Sequence, residues 1–258
     1  MDFTVENFEY YMLVVVRIAA FVGVAPLFNY RGLSAQMKVG ISIVLSAIVI
    51  PLTPVVELNY TGIIGFSALI LKEIMVGLIL GFMCSACTYI LNFAGQLMDI
   101  DMGLSMASTF DPINNQQVTV TGLIYNNLFM LMLIATNMHY YIIRAIVDTF
   151  KYFNVGQEVF PRNMVEVGIN FIVNFFIIGF RITLPMFCGM FLINIILGIL
   201  ARIAPQMNMF VVGMQIKLIV GFLILVLLVQ TLPTVSDFVF DEMKELITDI
   251  IHGLTPPA

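Results

Sequence analysis

Residues 201–210 read Ala201-Arg202-Ile203-Ala204-Pro205-Gln206-Met207-Asn208-Met209-Phe210, a short polar break between two long apolar segments. No charged residue occurs in residues 182–201 before the break or in residues 218–236 after it. Polar groups at membrane depth are costly unless other protein groups receive them. Pro205 has no backbone N–H and disfavours helix at the residue before it. The break therefore predicts a turn between two helices, the tip of a helical hairpin.

The composition is that of a membrane protein. Of the 258 residues, 60% are hydrophobic and 10% are charged, whereas a soluble domain carries about 25% charged residues. The net charge of −5 provides no basic surface for nucleic acid. The sequence contains no phosphate-binding loop and no hydrolase motif, so we expect no enzyme activity, cofactor or metal. It predicts an all-α integral membrane protein with a single domain over residues 1–258.

Apolar runs mark the candidate membrane spans, since a spanning helix needs about 20 apolar residues. The candidates are residues 10–28, 39–56, 63–93, 118–141, 167–200 and 211–233. Residues 167–200 are too long for one span and predict either one long kinked helix or two short ones. Residues 99–117 form a polar, turn-rich stretch, and the tail from residue 237 predicts a short amphipathic helix that ends at Gly253.

The distribution of charge does not fit a plain bundle of six spans. Arg31 and Lys38 mark the first connection as cytoplasmic, and strict alternation then places Arg144, Lys151 and Arg162 outside, against the positive-inside rule. Several apolar segments also contain charged residues, namely Arg17, Lys72, Glu73, Arg181 and Lys217. Snorkelling near helix ends accounts for some of them. Five charged residues within apolar segments favour contacts with other protein.

Two pairs of reactive side chains have an ordinary and a functional interpretation. Cys84 and Cys87 have the spacing of a redox or metal motif, but they lie in an uncharged run, which favours buried packing. Asp99 and Asp101 are a possible carboxylate pair for proton transfer. Because no histidine is near them in the sequence, we expect instead that they lie at the solvated edge of a loop.

Three motifs resemble those of the FliR family, the inner-membrane export-gate subunits of bacterial flagella, whose injectisome counterparts are the SctT proteins. The first is Arg-x-x-Pro-Gln-x-Asn-x-Phe at residues 202–210, followed by residues 211–217. The second comprises residues 94–99, residues 102–107 and the dipeptide at 111–112. The third is an early Arg17 followed by Pro26. Length and segment pattern match over essentially the whole chain.

The resemblance implies a fold and a set of partners. A FliR-like chain is similar to a FliP-like N-terminal part fused to a FliQ-like C-terminal hairpin, built from long kinked helical hairpins. One copy closes a helical ring of FliP and FliQ subunits at the entry of a protein-conducting pore, and FlhB docks on the ring. The ring is raised out of the usual membrane plane, which would account for the orientation conflict. The implied location is the bacterial inner membrane at the flagellar basal body, with membrane lipid around the chain and unfolded export substrates in transit.

The resemblance also implies two sets of functional residues. Polar groups at the hairpin tip and within the apolar segments would contact neighbouring subunits. This predicted interface comprises Arg17, Arg181, Arg202, Pro205, Gln206, Asn208, Phe210 and Lys217. The polar stretch after residue 99 would plug the closed channel, with methionines that seal the pore yet deform around a passing chain. This predicted plug comprises Met102, Gly103, Leu104, Ser105, Met106, Asp111, Pro112, Asn114 and Asn115.

Simpler interpretations of both sets remain open. The tip also fits a plain loop with a capping Asn208 and a snorkelling Arg202, and the plug fits an exposed loop whose methionines pack on the bundle. At the level of the whole protein, broken helices and an arginine within the membrane also fit a secondary transporter for a small solute. A third alternative is an intramembrane hydrolase that uses Asp99 and Asp101 or a cysteine.

Overall fold

The computed structural model of the chain describes residues 5–29, 33–53, 58, 60–105, 119–157, 163–206 and 208–255. Throughout these ranges, every regular element is helical, which confirms the predicted all-α fold. The helices are α1 (Val5–Val24), α2 (Ala35–Val49), α3 (Gly62–Met102), α4 (Val120–Ala135), α5 (Met138–Tyr152), α6 (Asn163–Ile203), α7 (Met209–Leu228) and α8 (Leu232–Leu254). Short 3-10 turns follow α2 at Ile50–Leu52 and α7 at Val229–Thr231.

Several helices are long and apolar enough to cross a membrane. In the described residues there are four, at Ala35–Leu52, Gly62–Met102, Met164–Ile203 and Phe210–Leu254. A fifth results if Val120–Ala135 and Met138–Tyr152 together form one broken span. Helices α3 and α6 each have 41 residues, a length of about 60 Å. That is roughly twice the thickness of a bilayer's hydrocarbon core.

Helix α6 answers one question that the sequence left open. The long apolar run forms one continuous helix, and Pro185 lies within it. A proline removes one backbone hydrogen bond from a helix. In a membrane protein, groups on neighbouring helices can satisfy the backbone group that is left unpaired, so a proline is tolerated there. The predicted amphipathic tail is also present, as the last part of α8, which ends at Leu254 rather than at Gly253.

Two predicted boundaries are wrong. The span predicted at residues 118–141 is interrupted after Ala135, because Asn137 adopts a left-handed conformation with φ 59°. Asparagine is one of the few residues that adopt it readily. The last span does not end at Pro233, which lies in the first turn of α8. There a proline is tolerated because the first N–H groups of a helix have no partner within it.

The chain forms two compact units that interleave along the sequence. The first comprises Met1–Cys87, Asn137–Ile172 and Asp241–Ala258, and the second comprises Thr88–Thr136 and Val173–Phe240. The predicted single domain stays a prediction.

A stripe of small residues on α3 organises the core of the first unit. A Cβ on Gly77 would overlap the Arg17 carbonyl oxygen, and one on Gly81 would overlap that of Phe21. One turn further on, the Ser85 hydroxyl donates a 2.6 Å hydrogen bond to the Val24 carbonyl oxygen. Small residues at intervals of four allow two membrane helices to bring their backbones together. The stripe therefore fixes α1 against the first part of α3.

The second unit is organised by the last part of α3. Gly95 lies so close to Gly122 of α4 that a Cβ on Gly95 would overlap the Gly122 backbone. The Phe93 ring meets Phe175, Phe176 and Phe180 of α6 with centroid separations of 5.4–5.9 Å. The sulfur of Met102 lies against Gly221 of α7. Within this unit, α3 thus contacts α4, α6 and α7.

Candidate functional site

The polar break of the sequence is a turn between α6 and α7, as predicted. Helix α6 ends at Ile203, and the Ala204 N–H donates to the Leu200 carbonyl oxygen at 2.9 Å. Pro205 follows, where the chain leaves the helical path. Helix α7 then starts with the N–H groups of Val211 and Val212 donating to the Asn208 carbonyl oxygen, both at 3.1 Å.

The two helices pair as a hairpin around this turn. A Cβ on Gly213 would lie 3.5 Å from Leu197, and one on Gly189 would overlap Ile224. Position 197 therefore faces 213, and 189 faces 224, so the arms are antiparallel with Pro205 and Gln206 at the tip. This pairing confirms the predicted hairpin, whereas the role of its tip stays a prediction.

The polar side chains of the tip that the structure describes are exposed. Arg202, Pro205, Gln206 and Asn208 are all exposed, and Phe210 is 67% exposed. Among the described residues, none accepts a hydrogen bond from the Arg202 guanidinium. The Asn208 side chain does not cap α7, which removes the capping role in the simpler interpretation of the tip. Arg202 lies in the last turn of α6, where a positive charge is favoured by the helix dipole.

Two further predicted interface residues have intramolecular contacts. The exposed Arg181 places its guanidinium 4.5 Å from the centroid of the Phe238 ring. Lys217 is half-buried and lines a cavity of about 460 Å³ in the second unit. The other residues of the wall are Ile100, Asp101, Met102, Gly103, Ser105, Asn194, Leu197, Phe210, Gly213 and Met214. The cavity thus lies between the end of α3 and the base of the hairpin tip.

Arg17 occupies the interior of the first unit instead of its surface. The side chain is fully buried and forms an ion pair with Glu73, with Nε 2.5 Å from Oε2 and Nη2 3.1 Å from Oε1. Its Nη1 donates to the Thr149 hydroxyl at 3.2 Å. The acceptors of Arg17 are therefore in its own chain, and its predicted contact with neighbouring subunits is not supported by this position.

The surroundings of this ion pair are aromatic and include a turn. The Arg17 guanidinium carbon lies 4.3 Å and 4.9 Å from the ring centroids of Phe150 and Phe153. The Gly156 N–H donates to Glu73 Oε1 at 2.9 Å. Gly156 has φ +81°, a conformation that glycine adopts without strain. Sequence reasoning missed the pairing of Arg17 with Glu73, although one cation and one anion within separate apolar segments are a sign of it.

Asp99 and Asp101 do not lie at the edge of a loop, because α3 continues to Met102. The Asp99 side chain is buried, and its carboxylate accepts from the Thr121 N–H at 3.3 Å and from the Thr121 hydroxyl. Thr121 lies in the first turn of α4, where a carboxylate satisfies backbone donors that have no helical partner. The prediction of a solvated pair is wrong, since Asp99 caps a neighbouring helix.

Asp101 is in a different position from Asp99. Its Oδ2 is buried and has no hydrogen-bond donor within the part of the chain that the structure describes. The residue lines the same cavity as Lys217. The two aspartates therefore have separate surroundings.

The predicted plug falls partly within the described residues. Met102 is fully buried against Gly221, so in this chain it is a core residue that also lines the cavity beside Lys217. Gly103 ends the helix with φ +83°, Leu104 is half-buried and Ser105 is exposed. Met106, Asp111, Pro112, Asn114 and Asn115 lie outside the described residues.

The cysteines of α3 are packing residues, as predicted. Cys84 and Cys87 are free thiols and are fully buried. Neither has access to solvent, which a reactive thiol needs.

Long apolar helices that pair in hairpins define this chain as an all-α integral membrane protein. Residues 8–243 match the family described as bacterial export proteins, family 1. The chain is 30% identical to the flagellar biosynthetic protein FliR of Pectobacterium carotovorum subsp. carotovorum, over 93% of this chain and 92% of that protein. It is 30% identical to the FliR of Bacillus subtilis (97% and 98% covered) and 28% identical to that of Escherichia coli (95% and 93% covered). The chain belongs to this family of export proteins, the FliR family.

Proposed function

We propose that this chain is a non-enzymatic structural subunit of the flagellar type III protein-export gate. It closes a helical ring of FliP and FliQ subunits, and FlhB docks on the assembled ring. The ring lies in the bacterial inner membrane at the flagellar basal body and passes unfolded export substrates. The relatives' name, flagellar biosynthetic protein, supports the flagellar assignment.

The exposed tip of the α6–α7 hairpin carries this proposal. It presents Arg202, Gln206 and Asn208 without acceptors from the described chain, next to a largely exposed Phe210. Arginine and aromatic side chains dominate the energetics of protein interfaces. A polar tip between two apolar helices also needs partners that lipid tails do not provide. Neighbouring subunits of a ring would provide them.

The surface of α6 supports the same conclusion. Many of its large apolar side chains are exposed, including Phe176, Phe180, Phe187, Phe191, Ile195 and Ile199. A helix of about 60 Å cannot bury this whole surface in one bilayer unless it is strongly tilted. Contact with other helices of a raised ring would cover the part that lies beyond the lipid.

The proposed plug begins where α3 ends. Gly103 and Ser105 lead from the buried Met102 towards residues 106–115 of the predicted plug. Because Met102 is anchored against Gly221, the segment that blocks the pore would start from a fixed point. Gating would then be steric, and the energy for export would come from other components.

The main alternative is a secondary transporter for a small solute. Co-purification distinguishes the two functions. A gate subunit, expressed with tagged FliP and FliQ, is recovered in one stable complex with them and is unstable when it is expressed alone. A transporter is stable by itself and binds solute. Recovery of a stable chain alone, with no FliP or FliQ attached, would refute the gate proposal.

A hydrolase that uses Asp99, Cys84 or Cys87 is disfavoured by the position of these residues. Asp99 is 4% exposed and already accepts hydrogen bonds from Thr121. Cys84 and Cys87 are fully buried. A nucleophile or general base must reach its substrate, and these groups do not reach solvent in this chain.

A further inference from the structure

A second cavity lies between α5 and the end of α8, within the first unit. Its volume is about 240 Å³. The wall consists of Tyr141, Arg144, Ala145, Asp148 and Tyr152 from α5, and of Ile247, Thr248, Ile251 and His252 from α8. A cavity of this size holds several water molecules. A small polar group fits in this space.

Arg144 provides the main charge of the cavity. Its side chain is 75% exposed, and only Nε is engaged, at 3.3 Å from Asp148 Oδ2. Within the described residues, the two terminal amino groups have no acceptor. Asp148 therefore orients the guanidinium while its outer edge stays available. That edge presents the paired donors that bind phosphate oxygens best.

The only acidic group in the wall is already neutralised. Asp148 Oδ1 accepts from Lys151 Nζ at 2.7 Å, and Oδ2 faces Arg144 Nε. Two cations thus surround one carboxylate and leave a positive excess. The residues that α8 contributes to the wall include no acid.

Neutral donors complete the site. The Tyr152 and His252 rings pack edge to face, with their centroids 5.6 Å apart. The hydroxyl groups of Tyr141 and Tyr152 and the ring nitrogens of His252 have no hydrogen-bond partner in the described part of the chain. The Thr248 hydroxyl is not available as a donor, because it already donates to the Lys244 carbonyl oxygen at 2.8 Å.

The position of α5 in the sequence is that of a membrane interface. It follows α4, whose 16 residues contain no charge. Near its start are Tyr140 and Tyr141, and Arg144 and Lys151 follow on later turns. The opposite side of α5 is buried through Met138, Ile142, Ile146, Thr149 and Phe150. Tyrosines and basic residues on the polar side of such a helix are typical of the headgroup region.

We propose that this cavity binds a phosphate group, with Arg144 as its charged ligand and Tyr141, Tyr152 and His252 as neutral donors. The group is carried by the headgroup of an anionic phospholipid or is free phosphate, and both offer the same oxygens to the same donors. Basic pockets between membrane helices bind anionic headgroups by this chemistry.

The test uses the full chain, purified in complex with FliP and FliQ, in nanodiscs of phosphatidylcholine with or without phosphatidylglycerol. Native mass spectrometry of the released protein counts the phosphatidylglycerol molecules that stay bound. We expect Arg144→Gln to reduce retention about tenfold, because a charge-assisted bidentate contact is lost. Lys38→Gln is the matched control, since that side chain donates to the Gly23 carbonyl oxygen and to Asn29 and lies outside the cavity. It is expected to retain lipid as the unchanged chain does.

A second measurement distinguishes lipid from free phosphate. Hydrogen exchange at residues 247–252 is compared in inorganic phosphate and in chloride of equal ionic strength. Retained phosphatidylglycerol without protection by phosphate assigns the site to a lipid headgroup. Protection by phosphate without retained lipid assigns it to free phosphate. Equal retention in Arg144→Gln and the unchanged chain, together with no protection by phosphate, overturns the proposal.

Discussion

Arg17 and Glu73 form an ion pair that no solvent reaches, with both side chains 0% exposed. The pair joins α1 to α3, and Glu73 also accepts from the N–H of Gly156 after α5. Three segments of the first unit thus meet at one carboxylate. Breaking such a pair is costly because it leaves a single buried charge.

The first prediction concerns this pair. Glu73→Ala is expected to destabilise the chain by about 3–5 kcal/mol, since Arg17 keeps its charge without a counter-ion. Thermal unfolding of the chain in its purified complex, in detergent, measures the loss. The control, Lys244→Ala, breaks a partly exposed pair with Asp241, and such pairs contribute about 0–1 kcal/mol. Equal losses for the two variants would show that the Arg17 pair is not buried.

The double variant Arg17→Met with Glu73→Leu provides a second check on the pair. Replacing both charges with apolar groups removes the unpaired ion, so this variant is expected to be more stable than Glu73→Ala alone. A double variant that is less stable than Glu73→Ala would show that the unpaired charge is not the cause of the loss.

The capping contact of Asp99 gives the second prediction. Asp99→Ala is expected to cost about 1–3 kcal/mol, because the Thr121 N–H and hydroxyl lose a buried acceptor. The effect is local to the start of α4, so amide hydrogen exchange should accelerate at residues 120–123 more than at residues 130–133. Uniform acceleration along α4 would argue against a cap.

The close approach of Gly95 and Gly122 gives the third prediction. Gly95→Ala is expected to lower stability by about 1–3 kcal/mol, because the new methyl group overlaps the Gly122 backbone and the two helices must move apart. Gly198→Ala is the matched control, since a Cβ there meets nothing within 4 Å. In that position alanine favours the helix by about 0.5–1 kcal/mol. The two changes should therefore shift the unfolding temperature in opposite directions.

The exposed tip gives the fourth prediction. Arg202→Ala is expected to reduce the yield of chain recovered with tagged FliP and FliQ, because it removes donors that the chain itself leaves unused. Lys244→Ala again serves as a control, as Lys244 is paired with Asp241 in its own chain. If both variants give the same yield, Arg202 has no role in assembly.

The proposed plug gives the fifth prediction. Deleting residues 103–115 is expected to make the assembled channel leak ions, because the pore loses the segment that blocks it. Permeability of vesicles that contain the purified complex measures this leak. Unchanged permeability of a fully assembled deletion variant would exclude the plug.

Apolar runs and one proline were sufficient to predict much of this fold. The residues around Pro205 predicted the hairpin because a proline among polar residues, between two apolar segments, strongly favours a turn. The break at Asn137 was not predicted, since a single asparagine in an apolar run does not require a left-handed conformation. The end of α3 was missed because Asp99 and Asp101 are polar, whereas the helix includes both of them and the Asp99 carboxylate accepts hydrogen bonds from Thr121. Such pairings join residues that are distant in the sequence, and composition does not reveal them.

The hairpin of α6 and α7 has one more consequence. Lipid tails are as apolar as leucine, so these two helices gain little hydrophobic free energy when they pair inside a membrane. Shape holds them together instead, at sites such as Gly189, where the Ile224 side chain fits only because a Cβ is missing. When another protein replaces lipid on the outer faces of α6 and α7, the solvation free energy of these faces changes little. A protein that binds these outer faces is therefore selected by the shape of its surface and not by its hydrophobicity.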